Sequence, residues 1–352
     1  MEYADLLNAG VYFINKGLLN AFKIGSIYAL GAVGITLVFG ILRFAHFAHG
    51  DMMTFGALIA FAGTVILRNL GINTEPIPTG LLALPLAVAA TIILALIIDR
   101  HVYAHFRASK SPPVVFVMTS IGVTFILQGI IRLVGGTGDR QFFFTAVSNG
   151  ESIREDKGRW LVKFDWLRDH FDGFTQKLVI TMPQLWLFIF TAVALVGLHY
   201  FLNHTRTGKA MRAVSDNEDL ARISGIDVGR VVKVTWVIAG TLAAIAGTLL
   251  AMDTQYKPIL AFNLLLPMFA AAIMGGIGKP FGAVAGAFIV ALAETFAVFD
   301  WRPIAGYLFA DRFDMTASMA LVPAEYKLAV PFAILVLVLI WRPTGIFKGQ
   351  VL

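Results

Sequence analysis

The 352-residue sequence has no cysteine, and only 14% of its residues are charged. The absence of cysteine excludes disulfides, thiolate metal sites and cysteine nucleophiles. The low charge excludes an ordinary soluble chain, in which about 25% of the residues are charged. Hydrophobic residues instead make up 58% of the chain. This composition indicates a membrane protein.

Long stretches without Asp, Glu, Lys or Arg identify the membrane segments. Six of them reach the roughly 18 residues that a helix needs to cross the hydrocarbon layer. They are 24–42, 76–98, 111–131, 178–205, 234–252 and 258–278. Three shorter stretches have apolar flanks, namely 52–67, 280–293 and 328–341. We therefore predict an all-α polytopic integral membrane protein with eight or nine membrane helices, including two short segments broken by glycine.

The charges of the connections predict the topology, because Lys and Arg near the ends of spans mark the cytoplasmic side. The connection 203–233 has six basic and four acidic residues, and 99–110 is also basic. Both are predicted to be cytoplasmic. The connection 135–182 has seven residues of each sign, and 300–325 is more acidic, so both are predicted to be extracytoplasmic. Nine crossings then place the N-terminus outside, whereas a re-entrant segment would lower the count. We interpret the formal net charge of +6 as this topology signal and expect no nucleic-acid partner.

Two Gly-interrupted hydrophobic segments lie far apart in the chain, at 43–61 and 274–292. Paired broken helices indicate a transport site, because freed backbone groups are tolerated at membrane depth only where they are buried or line a cavity. Tight turns between adjacent helices are the alternative. The residues predicted to line a translocation path are Phe47, Ala48, His49, Gly50, Asp51, Gly275, Gly276 and Gly278.

Ionisable side chains concentrate at the first break, which has Arg43, His46, His49 and Asp51. Such groups are expensive at membrane depth and are candidates for function. A metal site is not expected, since the zinc-protease pattern HExxH is absent and a metal would need more ligands. The structural alternative for Asp51 is a helix N-cap after Gly50. Glu294, which follows fourteen uncharged residues, is expected near the outer interface rather than buried.

Small residues recur at helical spacing in two later segments. Such residues let helix backbones approach closely in lipid. We predict helix packing at Ala239, Ala243, Gly247, Gly282 and Gly286.

The cytoplasmic segment 205–234 has an apolar stripe among charges of both signs, which predicts a short amphipathic helix. It is expected either to rest on lipid headgroups or to bind a protein partner. Nucleotide binding by this chain is not expected, because Gly208-Lys209 is followed by Ala210, and Gly278-Lys279 by Pro280, where a phosphate loop needs Ser or Thr.

Several motifs together resemble the LivH-type permease subunits of ABC importers for branched-chain amino acids. They are GSIYALGAVGITLVFGILRFAHFAHGD near the start, SPPVVFVMTSIGVTFILQ at 111–128, TRTGKAMRAVSDNEDLARISGID, AAAIMGGIGKPFGAVAGAFIVALAE at 270–294 and WRPTGIF near the end. His46 stands where the family usually has Asn, and the 139–178 insert is larger than expected.

The resemblance implies a bacterial inner-membrane subunit without catalytic activity, with residues 1–352 forming one transmembrane permease domain. It implies four partners: a second, related permease subunit of the LivM type, two ATP-binding subunits that use ATP and Mg, and a periplasmic substrate-binding protein. The chain itself would bind no cofactor. Coupling to the ATPases is predicted at Ala213, Asp216, Asn217, Glu218 and Ile226.

The resemblance implies import of leucine, isoleucine, valine or similar small solutes. Relatives with similar motifs leave urea, short amides, other amino acids and aromatic acids open as substrates. A secondary transporter driven by an ion gradient is the competing class, with Asp51 and Glu294 as its candidate acids. A membrane-embedded enzyme is the third class and would depend on His46 and His49.

Overall fold

The computed structural model describes residues 3–72, 77–143, 145–148, 151–154, 159–162, 175–309, 319–342 and 344–347. Within these ranges, seven helices are long and apolar enough to cross a membrane, and two more apolar helices are shorter. Together they account for nine apolar helices, so the prediction of a polytopic all-α membrane protein with eight or nine such segments is confirmed.

The helices of the first half are α1 (Tyr3–Leu42), α2 (His49–Asn69), α3 (Leu84–Ala108) and α4 (Pro113–Gly135). Those of the second half are α5 (Met182–His204), α6 (Arg206–Asp216), α7 (Glu218–Ile223), α8 (Val228–Asp253), α9 (Phe262–Gly275), α10 (Pro280–Ala297), α11 (Arg302–Phe309) and α12 (Ala329–Trp341). Short helical turns occur at Thr79–Leu82 and Ala324–Tyr326. A π-helical turn lies in α1 at Phe13–Leu18 and another in α3 at Asp99–Tyr103.

Four short strands lie in the predicted extracytoplasmic connection 135–182. They are β1 (Thr145–Ser148), β2 (Glu151–Arg154), β3 (Arg159–Val162) and β4 (Leu178–Thr181). β1 pairs with β2 and β3 with β4, both antiparallel. The connection joins α1 near its start, because Asn8 Oδ1 accepts from the N–H of Thr175 and Asn15 Oδ1 from that of Val179. Parts of this connection, including 163–174, lie outside the described residues.

Helix α1 is the centre of the bundle and packs against α8, α9 and α10. Helix α8 packs in turn against α2 and α3. In an apolar 18-residue window of each helix, 89% of the window is buried in α1 and 72% in α8, but only 22% in α5. The apolar face of α5 is therefore available to lipid or to another subunit.

Two crossings depend on small residues. A Cβ on Gly247 of α8 would overlap the Met53 carbonyl of α2, and a Cβ on Gly286 of α10 would overlap the Ala271 carbonyl of α9. A Cβ on Gly282 would overlap the Gly275 carbonyl. Ala239 and Ala243 of α8 are fully buried. The five residues predicted for helix packing thus lie in the interior.

Three helix boundaries differ from the sequence windows. Helix α1 starts far before Ile24, because the charge of Lys23 is balanced by Asp253, with 3.1 Å between Nζ and Oδ2. Helix α3 continues through the basic stretch that was predicted as a connection and ends at Ala108. Helix α9 spans only Phe262–Gly275 of the 258–278 window, and the residues before it pack against α2.

Candidate functional site

The first break is formed by residues 43–48, between α1 and α2. Arg43 has a left-handed backbone, with φ of 59°, and its N–H donates to the Phe39 carbonyl at 2.8 Å. Its guanidinium donates to the backbone carbonyl of Ser215 in α6. Helix α2 then begins at His49, so Gly50 lies in the first turn of the helix and not in the break itself.

Gly50 allows the start of α2 to lie against the chain that enters α9. A Cβ at this position would be 2.9 Å from the Ala261 carbonyl oxygen. The N–H of Ala261 also donates to Oγ1 of Thr54 at 3.2 Å. The absence of a side chain at Gly50 therefore lets these two backbone segments lie close together.

Three ionisable side chains around this start are buried. His46, His49 and Asp51 are each 0% exposed, and none of their side-chain nitrogen or oxygen atoms has a hydrogen-bond partner of normal geometry among the described residues. Buried polar groups without partners are rare in folded proteins and call for an explanation. These groups form the main candidate for a functional polar site in the bundle.

His46 lies in an aromatic cage. Its ring centroid is 5.0 Å from that of Trp236, 5.6 Å from that of Tyr103 and 6.0 Å from that of Phe44. The ring of His49 is 6.4 Å from that of His46 and occupies the space left by Gly34 of α1, where a Cβ would be 2.5 Å from Cε1. No group of three His, Cys, Asp or Glu side chains suited to a metal occurs in the described part of the chain.

Asp51 does not cap α2, so the capping interpretation is wrong. The N-cap residue is Ala48, and Asp51 occupies the first turn without a hydrogen bond to a free N–H of the described chain. Gln128 of α4 lies beside the carboxylate, and Arg132 lies one turn further along α4. Nε2 of Gln128 is also buried without a partner among the described residues.

The five residues predicted at this break differ in exposure. Ala48, His49, Gly50 and Asp51 are buried within the subunit, and Phe47 is partly exposed. The Phe47 N–H donates to Oγ of Ser120 in α4 at 3.2 Å. Access of solvent to the four buried positions therefore requires movement of α2, α4 or the segment before α9.

The second break connects α9 to α10. Gly275 ends α9, and the backbones of Gly276 and Gly278 have φ of 104° and 82°, which favour glycine. The C-terminal WRPTGIF motif contacts this break, because Ile346 N–H donates to the Met274 carbonyl at 2.8 Å and Gly345 packs on Gly276. Gly276 of the break and Gly345 of the C-terminal motif thus meet in a close backbone approach.

A cleft of about 640 Å³ connects the second break to the predicted coupling segment. It lies between the end of α1, the end of α5, α6 and the start of α10. Its lining residues are Thr36, Leu37, Gly40, Ile41, Leu202, Asn203, Met211, Arg212, Ser215, Asp216, Gly278, Lys279, Pro280, Phe281, Gly282 and Phe347. The cleft brings together Asp216, Gly278 and Gly282, for which the sequence predicted three different roles.

The predicted coupling segment folds into α6 and α7. Asp216 is exposed, and Glu218 forms an ion pair with Arg222, with 2.6 Å between Oε1 and Nη2. Asn217 caps α7, since its Oδ1 accepts from the Leu220 N–H at 2.9 Å. The other two predicted residues, Ala213 and Ile226, pack partly against the core.

Sequence reasoning missed two buried ionic clusters. Glu294 is 1% exposed and accepts from Tyr28 Oη at 2.9 Å, so it is buried within the subunit and does not extend to the surface as expected. The second cluster is centred on Asp99, which accepts two hydrogen bonds from Arg107 and one from Nε1 of Trp236 at 2.7 Å. The polar hydroxyl of Tyr28 within an apolar stretch could have indicated the first cluster. Its partner Glu294, however, is 266 residues away in sequence and could not be identified from a local pattern.

The chain is similar to known proteins over most of its length. A family model described as branched-chain amino acid transport system, permease component, matches residues 17–339. The chain is 30% identical over 341 residues to the high-affinity branched-chain amino acid transport system permease protein LivH of Escherichia coli K12, with 96% of each chain covered. It is 29% identical to BraD of Pseudomonas aeruginosa, again with 96% of each covered, and 24% identical to the ribose import permease protein RbsC of E. coli K12, with 79% of this chain and 77% of RbsC covered.

No solved structure matches the chain at a significant level. The family model and the LivH match both extend over most of the sequence, and the helical bundle has the apolar helices that a permease needs. The chain therefore belongs to the family of permease components of branched-chain amino acid transport systems.

Proposed function

We propose that this chain is the membrane-spanning permease subunit of an ATP-driven importer that moves branched-chain amino acids across the bacterial inner membrane. The observation that carries the proposal is the similarity to LivH over 96% of both chains. The chain is also similar to a ribose permease over 79% of its length, so the test has to discriminate between these substrates.

The proposed division of labour leaves ATP hydrolysis to other subunits. Two ATP-binding subunits use ATP and Mg, a second permease of the LivM type completes the membrane part, and a periplasmic binding protein delivers the solute. The sequence of this chain supports that division, because Gly208-Lys209-Ala210 and Gly278-Lys279-Pro280 lack the Ser or Thr of a phosphate loop. In this proposal the chain is a non-catalytic subunit.

The proposed solute path passes the first break at Phe47 to Asp51 and continues towards Gly275, Gly276 and Gly278. The unpartnered polar atoms of His49, Asp51 and Gln128 support this route. An α-amino acid has an ammonium group, which can donate hydrogen bonds to a carboxylate of the protein. Its own carboxylate can accept hydrogen bonds from amide or imidazole N–H groups. The buried groups have the complementary chemistry, and buried polar atoms without hydrogen-bond partners of normal geometry call for an explanation.

The proposed coupling surface is α6 with α7. The exposed carboxylate of Asp216, the partly exposed carboxylate of Glu218 and the short helices that present them support contact with a cytoplasmic ATPase. Ala213 and Ile226 contribute by holding these helices against the bundle. Charge at such a surface sets the register of the partner more than the affinity.

The function is tested by reconstitution in proteoliposomes. The chain is coexpressed with a second permease of the LivM type and two ATP-binding subunits, and uptake of labelled leucine is measured with the binding protein outside and ATP inside. We expect uptake that needs both ATP and the binding protein, with competition by isoleucine and valine. Competition by urea, short amides or ribose instead would change the substrate. Ion-driven uptake by the chain alone would contradict the importer proposal.

A further inference from the structure

Arg43, the residue directly after α1, connects the predicted coupling segment to the first break. Its guanidinium donates to the backbone carbonyl of Ser215 in α6, and α2 begins a few residues later at His49. We propose that Arg43 transmits movement of α6 to the first break and thereby couples ATP hydrolysis to movement of the solute. This inference rests on the proposed function, to which it adds a positioning residue outside both the solute path and the ATPase surface.

The backbone of Arg43 favours glycine rather than arginine. Its φ of 59° lies in the left-handed region, and its N–H donates to the Phe39 carbonyl at 2.8 Å, which is a helix end where glycine is the usual residue. Among the described residues other than glycine, Lys110 is the one other position with a positive φ. Arginine holds this conformation at a cost in free energy that glycine would not incur. What arginine adds at this position is therefore its side chain.

The guanidinium binds the end of α6 that lies next to the proposed ATPase surface. Ser215 is among the last four residues of α6, and the carbonyls at such a helix end have no N–H partner within the helix and attract a cation. Asp216, the next residue, is exposed and belongs to the proposed ATPase surface. Gly40 of α1 lies against the same end, because a Cβ there would be 3.3 Å from Ser215 Oγ. Movement of α6 therefore acts directly on the last turn of α1 and on Arg43.

The segment after Arg43 is packed firmly enough to pass this movement on. Phe44 is 1% exposed, and its ring centroid is 5.1 Å from that of Tyr103 and 5.2 Å from that of Phe116. Packed segments rearrange as units between discrete arrangements and do not stretch continuously. A displacement at Arg43 therefore reaches the start of α2 through residues 44–48.

The hydrogen bond contributes to coupling because it favours arrangements in which α6 and the first break move together. A hydrogen bond from a charged donor changes an equilibrium by about tenfold or more when it is shielded from water. Arg43 is exposed, so solvent weakens the bond, and we expect an effect of about threefold to tenfold. Without the guanidinium, the ATPases would still displace α6, but the first break would follow it less often. ATP would then be hydrolysed without movement of the solute.

The test compares Arg43→Gly with a matched control in the complete importer in proteoliposomes. Arg43→Gly removes the guanidinium and supplies the residue that the backbone favours, so its two effects on stability oppose each other and the unfolding temperature should change little. We expect the number of leucine molecules imported per ATP hydrolysed to fall about threefold to tenfold. The purified complex should keep its ATP-binding subunits.

The matched control is Lys110→Gly, which also removes a cation from a left-handed position. Lys110 has φ of 50° and is exposed in the predicted cytoplasmic connection 99–110, and its side chain makes no hydrogen bond or ion pair within the described chain. This variant should import as many leucine molecules per ATP as the unmodified importer.

Four results would overturn the inference. An unmodified ratio of import to hydrolysis in Arg43→Gly would show that the bond transmits nothing. An equal loss in Lys110→Gly would assign the effect to the cytoplasmic charge. A lower ratio together with a clear fall in the unfolding temperature would make Arg43 a structural residue, and loss of the ATP-binding subunits from purified Arg43→Gly would make it part of the ATPase surface. Absence of ATP-driven uptake in the unmodified importer would instead contradict the proposed function.

Discussion

Lys327 forms an ion pair with Glu294, with 3.0 Å between Nζ and Oε1, and the carboxylate is 1% exposed while the lysine side chain is 37% exposed. Tyr28 of α1 donates to the other carboxylate oxygen at 2.9 Å. The pair therefore joins α10 to the residues before α12, and both to the central helix. A buried carboxylate held in this way stabilises the bundle mainly because the loss of one partner leaves a charge without compensation.

The first prediction concerns this pair. Lys327→Met should lower the free energy of unfolding by roughly 1–3 kcal/mol, because it leaves the Glu294 carboxylate with Tyr28 as its one direct partner among the described residues. Lys327→Arg should retain most of the stability, since it keeps the charge. Thermal unfolding of the purified importer in detergent measures both. Equal stability of Met and Arg variants would show that the ion pair contributes nothing.

The second prediction concerns the crossing of α8 with α2. Gly247→Leu should prevent normal folding, because even a Cβ would overlap the Met53 carbonyl, and overpacking a core already costs about 1–3 kcal/mol or more. Gly122→Leu on α4 is the matched control, since nothing lies within 4 Å of a Cβ there. The yield of monodisperse protein in size-exclusion chromatography measures both. A normal yield for Gly247→Leu would contradict the close crossing.

The third prediction concerns coupling through α7. Reversal of Glu218 and Asp219 to Lys should leave membrane insertion intact but uncouple ATP hydrolysis from uptake, because reversed charges repel the partner surface. The reversal also breaks the ion pair to Arg222 and places positive charge at a helix start, where the dipole disfavours it. Arg222→Gln is the control, since it breaks the same pair without reversing a charge.

In that comparison, hydrolysis stimulated by the binding protein is measured beside uptake for both variants. The double reversal should lower the number of solutes moved per ATP, and Arg222→Gln should stay near the unmodified ratio, because an exposed i,i+4 pair is worth only about 0.3–0.5 kcal/mol. An equal loss in both would indicate that local helix stability, and not the partner surface, explains the effect.

Local patterns in the sequence predicted the parts of the fold that depend on nearby residues. The charge-free window 234–252 lies inside α8, and the four-residue register of Ala239, Ala243 and Gly247 identifies its packed face. Both properties follow from composition and helical geometry alone.

Contacts between distant residues could not be predicted in this way. Lys23 ended a charge-free window, yet it lies inside α1 because Asp253 balances its charge from the end of α8. The short distance in sequence between Glu294 and Asp300 predicted an exposed carboxylate, but Tyr28 and Lys327 bind it where it is buried. The first break was centred on Gly50, whereas the helix ends where Arg43 adopts a left-handed backbone. Each difference depends on a contact with a residue that is distant in sequence, and local patterns do not identify such contacts.

The last prediction tests the proposed path at Phe47 to Asp51, using single cysteines in a chain that has none of its own. The structure buries Ala48, His49 and Asp51, so a small aqueous thiol reagent should react slowly with a cysteine at any of these positions in the resting importer. Gly50 is not replaced, because a Cβ there would be 2.9 Å from the Ala261 carbonyl oxygen. If the segment lines the path, the alternation that moves solute has to bring water to it. Reactivity at positions 48, 49 and 51 should therefore rise in the ATP-trapped complex, while position 47, where the native Phe47 is already partly exposed, should change least.

Two control positions make that result interpretable. A cysteine at Ile223, where the native side chain is 85% exposed, should react in every state, and one at Ala243, which is 0% exposed between packed helices, should react in none. If cysteines at 48, 49 and 51 stay unreactive in every state, as at Ala243, the segment is packed core. If they react in every state, as at Ile223, it is a surface turn. Either result would remove these residues from the path, whereas a change with the ATP state would mean that water reaches the buried His49 and Asp51 during transport, as a polar solute path requires.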